Sequence, residues 1–132
     1  MTASHTPSAL LIDDDRMTRE IVASLLQSEG FEVDAVDGGT QALQLLEHQD
    51  YDLLITDLRM RGMDGLELLR IVRDSHTEMA PVVISGHDEL IKEAQAQGYC
   101  AETITKPFHL EELMSAIQRS LNEQWAGGHD RG

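Results

Sequence analysis

"YDLLITDLRMRGMDGLELL", Tyr51 to Leu69, decides the fold. Its apolar run Leu53-Leu54-Ile55 ends in Thr56 and one carboxylate, Asp57. The chain then turns through Arg59, Arg61, Gly62, Asp64 and Gly65 into a leucine-rich helical pattern. An apolar run without polar alternation reads as a strand buried on both faces. A buried strand that stops on an acid and feeds a helix is part of a parallel β-α repeat, and it delivers that acid to the edge of the sheet where ligands bind.

The same unit recurs on either side. Ala9 to Ile12 ("ALLI"), Phe31 to Val36 ("FEVDAV"), Leu53 to Thr56, Val82 to Ser85 ("VVIS") and Glu102 to Thr105 ("ETIT") read as strands. Between them Ile21, Val22, Leu25 and Leu26, and later Leu110, Leu113, Met114, Ile117 and Leu121, recur on one helical face. Gly30 and Gly98 fall where the first and fourth helices need a left-handed cap. The pattern predicts an α/β fold, a doubly wound parallel sheet of five strands flanked by five helices. Phe31 to Val36 alternates, as an edge strand does. The fourth helix, Asp88 to Gln97, has only Leu90, Ile91 and Ala94 to dock it.

At 132 residues the chain is the size of one domain. The composition divides it into a flexible head, residues 1–8, a domain over 9–125, and a tail or linker start over 126–132. Asp and Glu number 24 against 10 Lys and Arg, for a formal charge of -14, which argues against direct nucleic acid binding. One cysteine, Cys100, excludes an internal disulfide. The opening "MTASHTPS" lacks the pattern of a signal peptide, and no apolar run reaches the ~20 residues of a membrane span, so the expected location is the cytoplasm. The six histidines are scattered without ligand spacing, which disfavours zinc.

In an open parallel sheet, ligands sit beyond the carboxyl ends of the strands. Those ends carry Asp13, Asp14 and Asp15, then Asp57, then Ser85, then Lys106 followed by Pro107. Clustered carboxylates repel one another unless a cation lies among them. Magnesium, with manganese as a substitute, suits a few carboxylates plus phosphate oxygens. An aspartate so placed can act as a nucleophile toward phosphorus, forming an acyl phosphate. Asp15 reads as a helix cap and Asp64 as a turn residue.

Together "LLIDDD", "LLITDLRMRGMDGLELL", "PVVISG" and "ITKPF", in this order over about Ala9 to Leu121, resemble the receiver domain of bacterial two-component response regulators. The resemblance implies a flavodoxin-like sheet of order 2-1-3-4-5. It makes Asp57 the phosphoacceptor, Asp14 the direct magnesium ligand, and Asp13 a ligand acting largely through water. The backbone carbonyl of Arg59 completes the metal shell. Ser85 becomes the switch hydroxyl and Lys106 the phosphoryl-binding amine. Gly86 keeps the phosphoryl group accessible, and Pro107 follows the lysine through a cis bond. The implied partners are a histidine kinase or histidine phosphotransfer protein upstream, and a protein target or a missing output domain downstream. The implied state is a monomer or a phosphorylation-dependent dimer.

The pattern departs from the family in three places. Arg61 stands where many receivers have proline. Arg59, at a variable position, and His87 are candidates to slow attack by water on the acyl phosphate. Thr103 replaces the aromatic residue common three positions before the lysine, with Tyr99 nearby in sequence and one extra residue after Gly98. Two other readings remain: a degenerate receiver acting as an interaction module, and a haloacid dehalogenase-like phosphatase using Asp13, which would leave Asp57 idle.

Overall fold

The structure is a computed structural model describing residues 5–60, 62–75, 78–99 and 102–131, with side chains of the last helix described as far as Glu123. Arg61 and Cys100, noted from the sequence, lie outside the described residues. The elements are β1 (Ser8–Ile12), α1 (Arg16–Ser28), β2 (Glu32–Val36), α2 (Gly39–Leu46), β3 (Leu53–Thr56), α3 (Gly65–Ser75), β4 (Ala80–Ser85), α4 (Asp88–Ala96), β5 (Glu102–Thr105) and α5 (Leu110–Arg131). The strands form one parallel sheet of order β2-β1-β3-β4-β5, as the resemblance implied.

Successive side chains of a strand point to opposite faces, so an unbroken apolar strand feeds two cores. In β1, Ala9 and Leu11 join Val22, Leu26, Leu113 and Ile117 beneath α1 and α5. Leu10 and Ile12 join Leu46, Leu68, Leu69 and Ile91 beneath α2, α3 and α4. The apolar continuity of β1, β3 and β4 is therefore a direct consequence of helices on both faces, while the edge strand β2 is only partly covered.

The head is held before Ala9: the backbone N–H of Ser8 donates to Asp52 Oδ2 at 2.9 Å, and His5 Nε2 lies 3.0 Å from the same oxygen. At the other end α5 continues past Trp125. Extending a formed helix costs far less than starting one. Inside the fold, β4 starts at Ala80 rather than Val82 and includes Pro81, opposite Leu54.

Both expected glycine caps are present. Gly98 has φ +73° and closes α4, with its N–H donating to Gln95 O at 3.1 Å and that of Tyr99 to Ala94 O at 3.0 Å. This pair of bonds satisfies the carbonyls that the end of a helix leaves free. Gly30 ends α1 in the same way. At its other end α4 begins after His87 without a side-chain cap.

Candidate functional site

The first crossover carries the chain from β1 to β2 on one side, and the second returns it past β1 to β3, so the ends of β1 and β3 become neighbours. Ile12 is paired with Thr56, and the N–H of Asp57 donates to Ile12 O at 3.0 Å. The next residue of each strand is thus an aspartate, and Asp13 and Asp57 stand side by side. On the other flank Ser85 is paired with Thr105, and the N–H of Lys106 donates to Ser85 O at 2.8 Å. Register alone brings four segments to one point.

Asp13, Asp57 and Ser85 are buried, and Asp14 is exposed at the mouth. Lys106 Nζ bridges the acids, 2.8 Å from Asp57 Oδ2 and 2.9 Å from Asp13 Oδ2. Asp57 Oδ1 accepts from the N–H of Leu58 at 2.6 Å and that of Arg59 at 3.2 Å. Burial pushes the Asp13 carboxyl above its ordinary 3.8, against hydrogen bonds from the Asp15 N–H and from Lys106 that pull it down. Burial also pulls the Lys106 ammonium down, but its bonds to Asp57 and Asp13 outweigh this and leave it above 10.5. One cation shared by two acids gains from both, while Asp13 recovers only part of its burial cost.

Oxygens of Asp13, Asp14 and Asp57 can lie within 4.8 Å of one another. An all-carboxylate set of this kind, two members buried and one exposed, has the hard-oxygen character that magnesium requires. Lys106 neutralises only part of the charge, so the donor set fits a divalent cation. The predicted cap and turn roles are also present. Asp15 Oδ2 accepts from the N–H of Thr18, whose hydroxyl donates to the same oxygen, and these bonds hold the carboxyl below its ordinary value. Asp64 Oδ1 accepts from the N–H of Leu66 at the start of α3.

Ser85 Oγ accepts from the N–H of His87 at 3.1 Å. Gly86 and the Arg59 side chain are exposed around the opening. The Lys106-Pro107 bond is cis. Thr103 does not reach the acids: it lies on β5, where its Oγ1 accepts from Gln95 Nε2 of α4 at 3.3 Å. Nor does Tyr99 replace the missing aromatic. It lies at the far end of α4, with the Arg73 guanidinium of α3 4.8 Å from its ring centroid and Arg73 Nη1 donating to Gln97 O.

Three contacts beside the acids go beyond the sequence reading. Thr56 Oγ1 donates to Asp57 O at 2.8 Å. Gly65 carries the turn so close to β3 that a Cβ there would stand 2.6 Å from Asp57 O and from Leu58 Cα. Arg19 Nη1 donates to Asp13 O at 2.7 Å. The visible signal for Arg19 is an arginine in the first turn of a helix, the end whose dipole disfavours a cation, four residues after the last of three aspartates.

Buried acids from two adjacent strand ends, bridged by a lysine from a third segment beside a buried serine, define an acidic pocket at the carboxyl ends of the strands of a doubly wound sheet. The family model described as the response regulator receiver domain matches residues 9–118. The chain belongs to that family, the receiver domains of two-component systems. It is 34% identical over 109 residues to the cell cycle transcriptional regulator CtrA of Caulobacter vibrioides, a match covering 82% of this chain and 47% of that protein. The chain thus spans about half the length of the CtrA proteins it matches. The signal receiver domain of an HD domain-containing protein from Pseudomonas fluorescens Pf-5 superposes with a TM-score of 0.86 at 27% identity, covering 92% of this chain and 99% of that one. The response regulator TrrA from Thermotoga maritima, solved in complex with Mg2+ and BeF, gives 0.78 at 26% identity, covering 86% and 97%. Among the described residues no helix is long and apolar enough to cross a membrane.

Proposed function

We propose that this receiver accepts a phosphoryl group on Asp57 in a magnesium-dependent reaction and thereby changes its affinity for a protein partner. The observation that carries the reading is the Asp13–Lys106–Asp57 bridge beside Asp14 and Ser85. A carboxylate oxygen of Asp57 attacks the phosphorus of the donor. As the new O–P bond forms, the bond to the donor's leaving group breaks and its electron pair leaves with that group. The N–H groups of Leu58 and Arg59 hold the carboxylate in place, and Lys106 binds an oxygen of the transferred group. Asp13, Asp14, Asp57 and the carbonyl of Arg59 would hold magnesium, which when bound neutralises charge on the phosphoryl oxygens. The TrrA structure, solved in complex with Mg2+ and BeF, supports this assignment.

Ser85 is the switch hydroxyl: leaving the N–H of His87 for a phosphoryl oxygen would draw the β4–α4 turn inward. Because Thr103 supplies no aromatic partner, the change reaches α4 through this turn. The protein is a signalling switch that catalyses its own modification, works in the cytoplasm, and takes its phosphoryl group from a histidine kinase or histidine phosphotransfer protein. Among the described residues, Met17, Ile21 and Leu110 are the exposed large apolar side chains, 70%, 46% and 41% accessible, and they offer that donor a contact surface. The signal then passes to a separate target or to an output region of a longer chain.

Intact mass spectrometry with magnesium and a small phosphodonor tests the reading. A gain of one phosphoryl group that requires magnesium and is lost in Asp57→Asn is the expected result. No gain would favour a degenerate interaction module. A gain kept by Asp57→Asn but lost in Asp13→Asn would favour the dehalogenase-like phosphatase.

A further inference from the structure

We infer that Arg19 is a positioning residue for the metal: it fixes the peptide between Asp13 and Asp14 and so presents both carboxylates in a binding geometry. The inference rests on the magnesium reading above.

The Asp13–Asp15 turn leaves β1 and must aim one side chain inward and the next at the mouth. Three contacts shape it. The N–H of Asp13 donates to Val36 O at 3.2 Å, continuing the sheet for one residue. Asp13 Oδ1 accepts from the N–H of Asp15 at 2.8 Å, which folds the turn back on itself. Arg19 Nη1 donates to Asp13 O at 2.7 Å. That carbonyl belongs to the peptide joining the two acids. Holding it sets the plane from which the Asp14 side chain departs, and Asp14 has no side-chain contact of its own among the hydrogen bonds of the described residues.

Arg19 occupies an electrostatically poor place for a cation. It is in the first turn of α1, one turn after the Asp15 cap, where the helix dipole is positive. It is half-buried, whereas Arg16 on the same turn is exposed and pairs with Glu20. A guanidinium is suited to the task because its planar fork bonds in a fixed direction, which an ammonium cannot do. The contact is the outer-shell kind that orients metal ligands, and loss of such partners commonly weakens metal binding by roughly 10- to 100-fold.

The sign of the effect separates this role from simple charge. Arg19 is a cation near a cation site, so by Coulomb repulsion alone its removal would tighten magnesium binding. Positioning requires the opposite. Calorimetric titration of MgCl2 into the full chain, with thermal melting alongside, distinguishes them in wild type, Arg19→Ala and Arg19→Lys. The expected result is a Kd raised about tenfold in Arg19→Ala, with partial recovery in Arg19→Lys and cooperative melting in all three. An Arg19→Ala Kd that is unchanged or lowered while wild type binds overturns the inference and leaves the magnesium reading intact. If Arg19→Ala fails to melt cooperatively, Arg19→Lys decides: wild-type affinity in that variant also overturns it. A wild-type chain that binds no magnesium overturns both.

Discussion

Lys106 and Asp57 are joined across 2.8 Å, and the same ammonium reaches Asp13, so one cation holds together the ends of β1, β3 and β5. Removing it leaves two buried carboxylates facing each other. Breaking a fully buried pair costs roughly 3–5 kcal/mol. The Lys106 side chain is 23% exposed, so Lys106→Met should cost about 2 kcal/mol in metal-free urea denaturation. Magnesium should restore more stability to this variant than to wild type. The lysine pKa is higher in the fold than in the unfolded chain. Its contribution is therefore complete below 10.5 and is lost as pH rises through the folded value.

Asp13 carries the opposite penalty. Its pKa in the fold lies above 3.8, so the folded state keeps the proton to higher pH than the unfolded chain does. Stability from this group falls as pH rises from 3.8 through the raised value, and the deficit persists at neutral pH. Asp13→Asn should stabilise the metal-free protein by about 1 kcal/mol near pH 7 while weakening magnesium binding. Melting curves at pH 4 and pH 7 check the sign: the gain should be larger at pH 7.

Two glycines near the site should respond differently to an added methyl group. At Gly65 the Cβ meets backbone of Asp57 and Leu58 at 2.6 Å, whereas at Gly86 the nearest atom is Lys106 Cβ at 3.9 Å. Gly65→Ala should cost about 3 kcal/mol or more. Gly86→Ala should stay within about 0.5 kcal/mol and keep its phosphoryl labelling. Denaturant unfolding of both reads the contrast.

Arg59 is exposed at the opening and its N–H bonds Asp57. Arg59→Ala retains that N–H but removes the guanidinium, and it should shorten the acyl phosphate lifetime about threefold, a barrier change of less than ~1 kcal/mol. Decay of the phosphorylated mass with time measures it. An unchanged lifetime would end this assignment and leave His87 as the remaining candidate.

The exposed apolar residues should matter to a protein donor and not to a small one. Ile21→Asp should cut transfer from a histidine-phosphorylated partner about tenfold, as loss of an interface anchor does. Labelling by a small phosphodonor should be unaffected, because Ile21 lies outside the pocket.

Much of the site could be read from the chain because its chemistry is tied to strand ends. Once β3 is recognised by Leu53-Leu54-Ile55, Asp57 has only one place to go, and the observed β3 and β5 have the expected limits. The bounds of β4 were less legible, since Pro81 lacks an N–H and discourages reading Ala80 and Pro81 as strand. The contacts of Arg19 and Thr56 were missed for a common reason: each donates to a backbone carbonyl, and residue type does not announce a backbone contact. Tyr99 shows the same limit. Nearness in sequence to Thr103 suggested a substitute aromatic, but the cap at Gly98 turns Tyr99 toward Arg73 instead.

The Gly98 cap and the Arg73 contacts anchor α4 at the end remote from the acids, while the end beside Ser85 starts uncapped. Pulled from the Ser85 end, α4 would pivot as a lever with its fulcrum at Tyr99. A helix of this length is about 13 Å long, so a tilt of roughly 10° carries its free end roughly 2 Å. Under the proposed switching, displacement would be greatest next to Asp57 and vanish toward Tyr99, and a partner that reads the first turn of α4 would sense far more than one that reads the last.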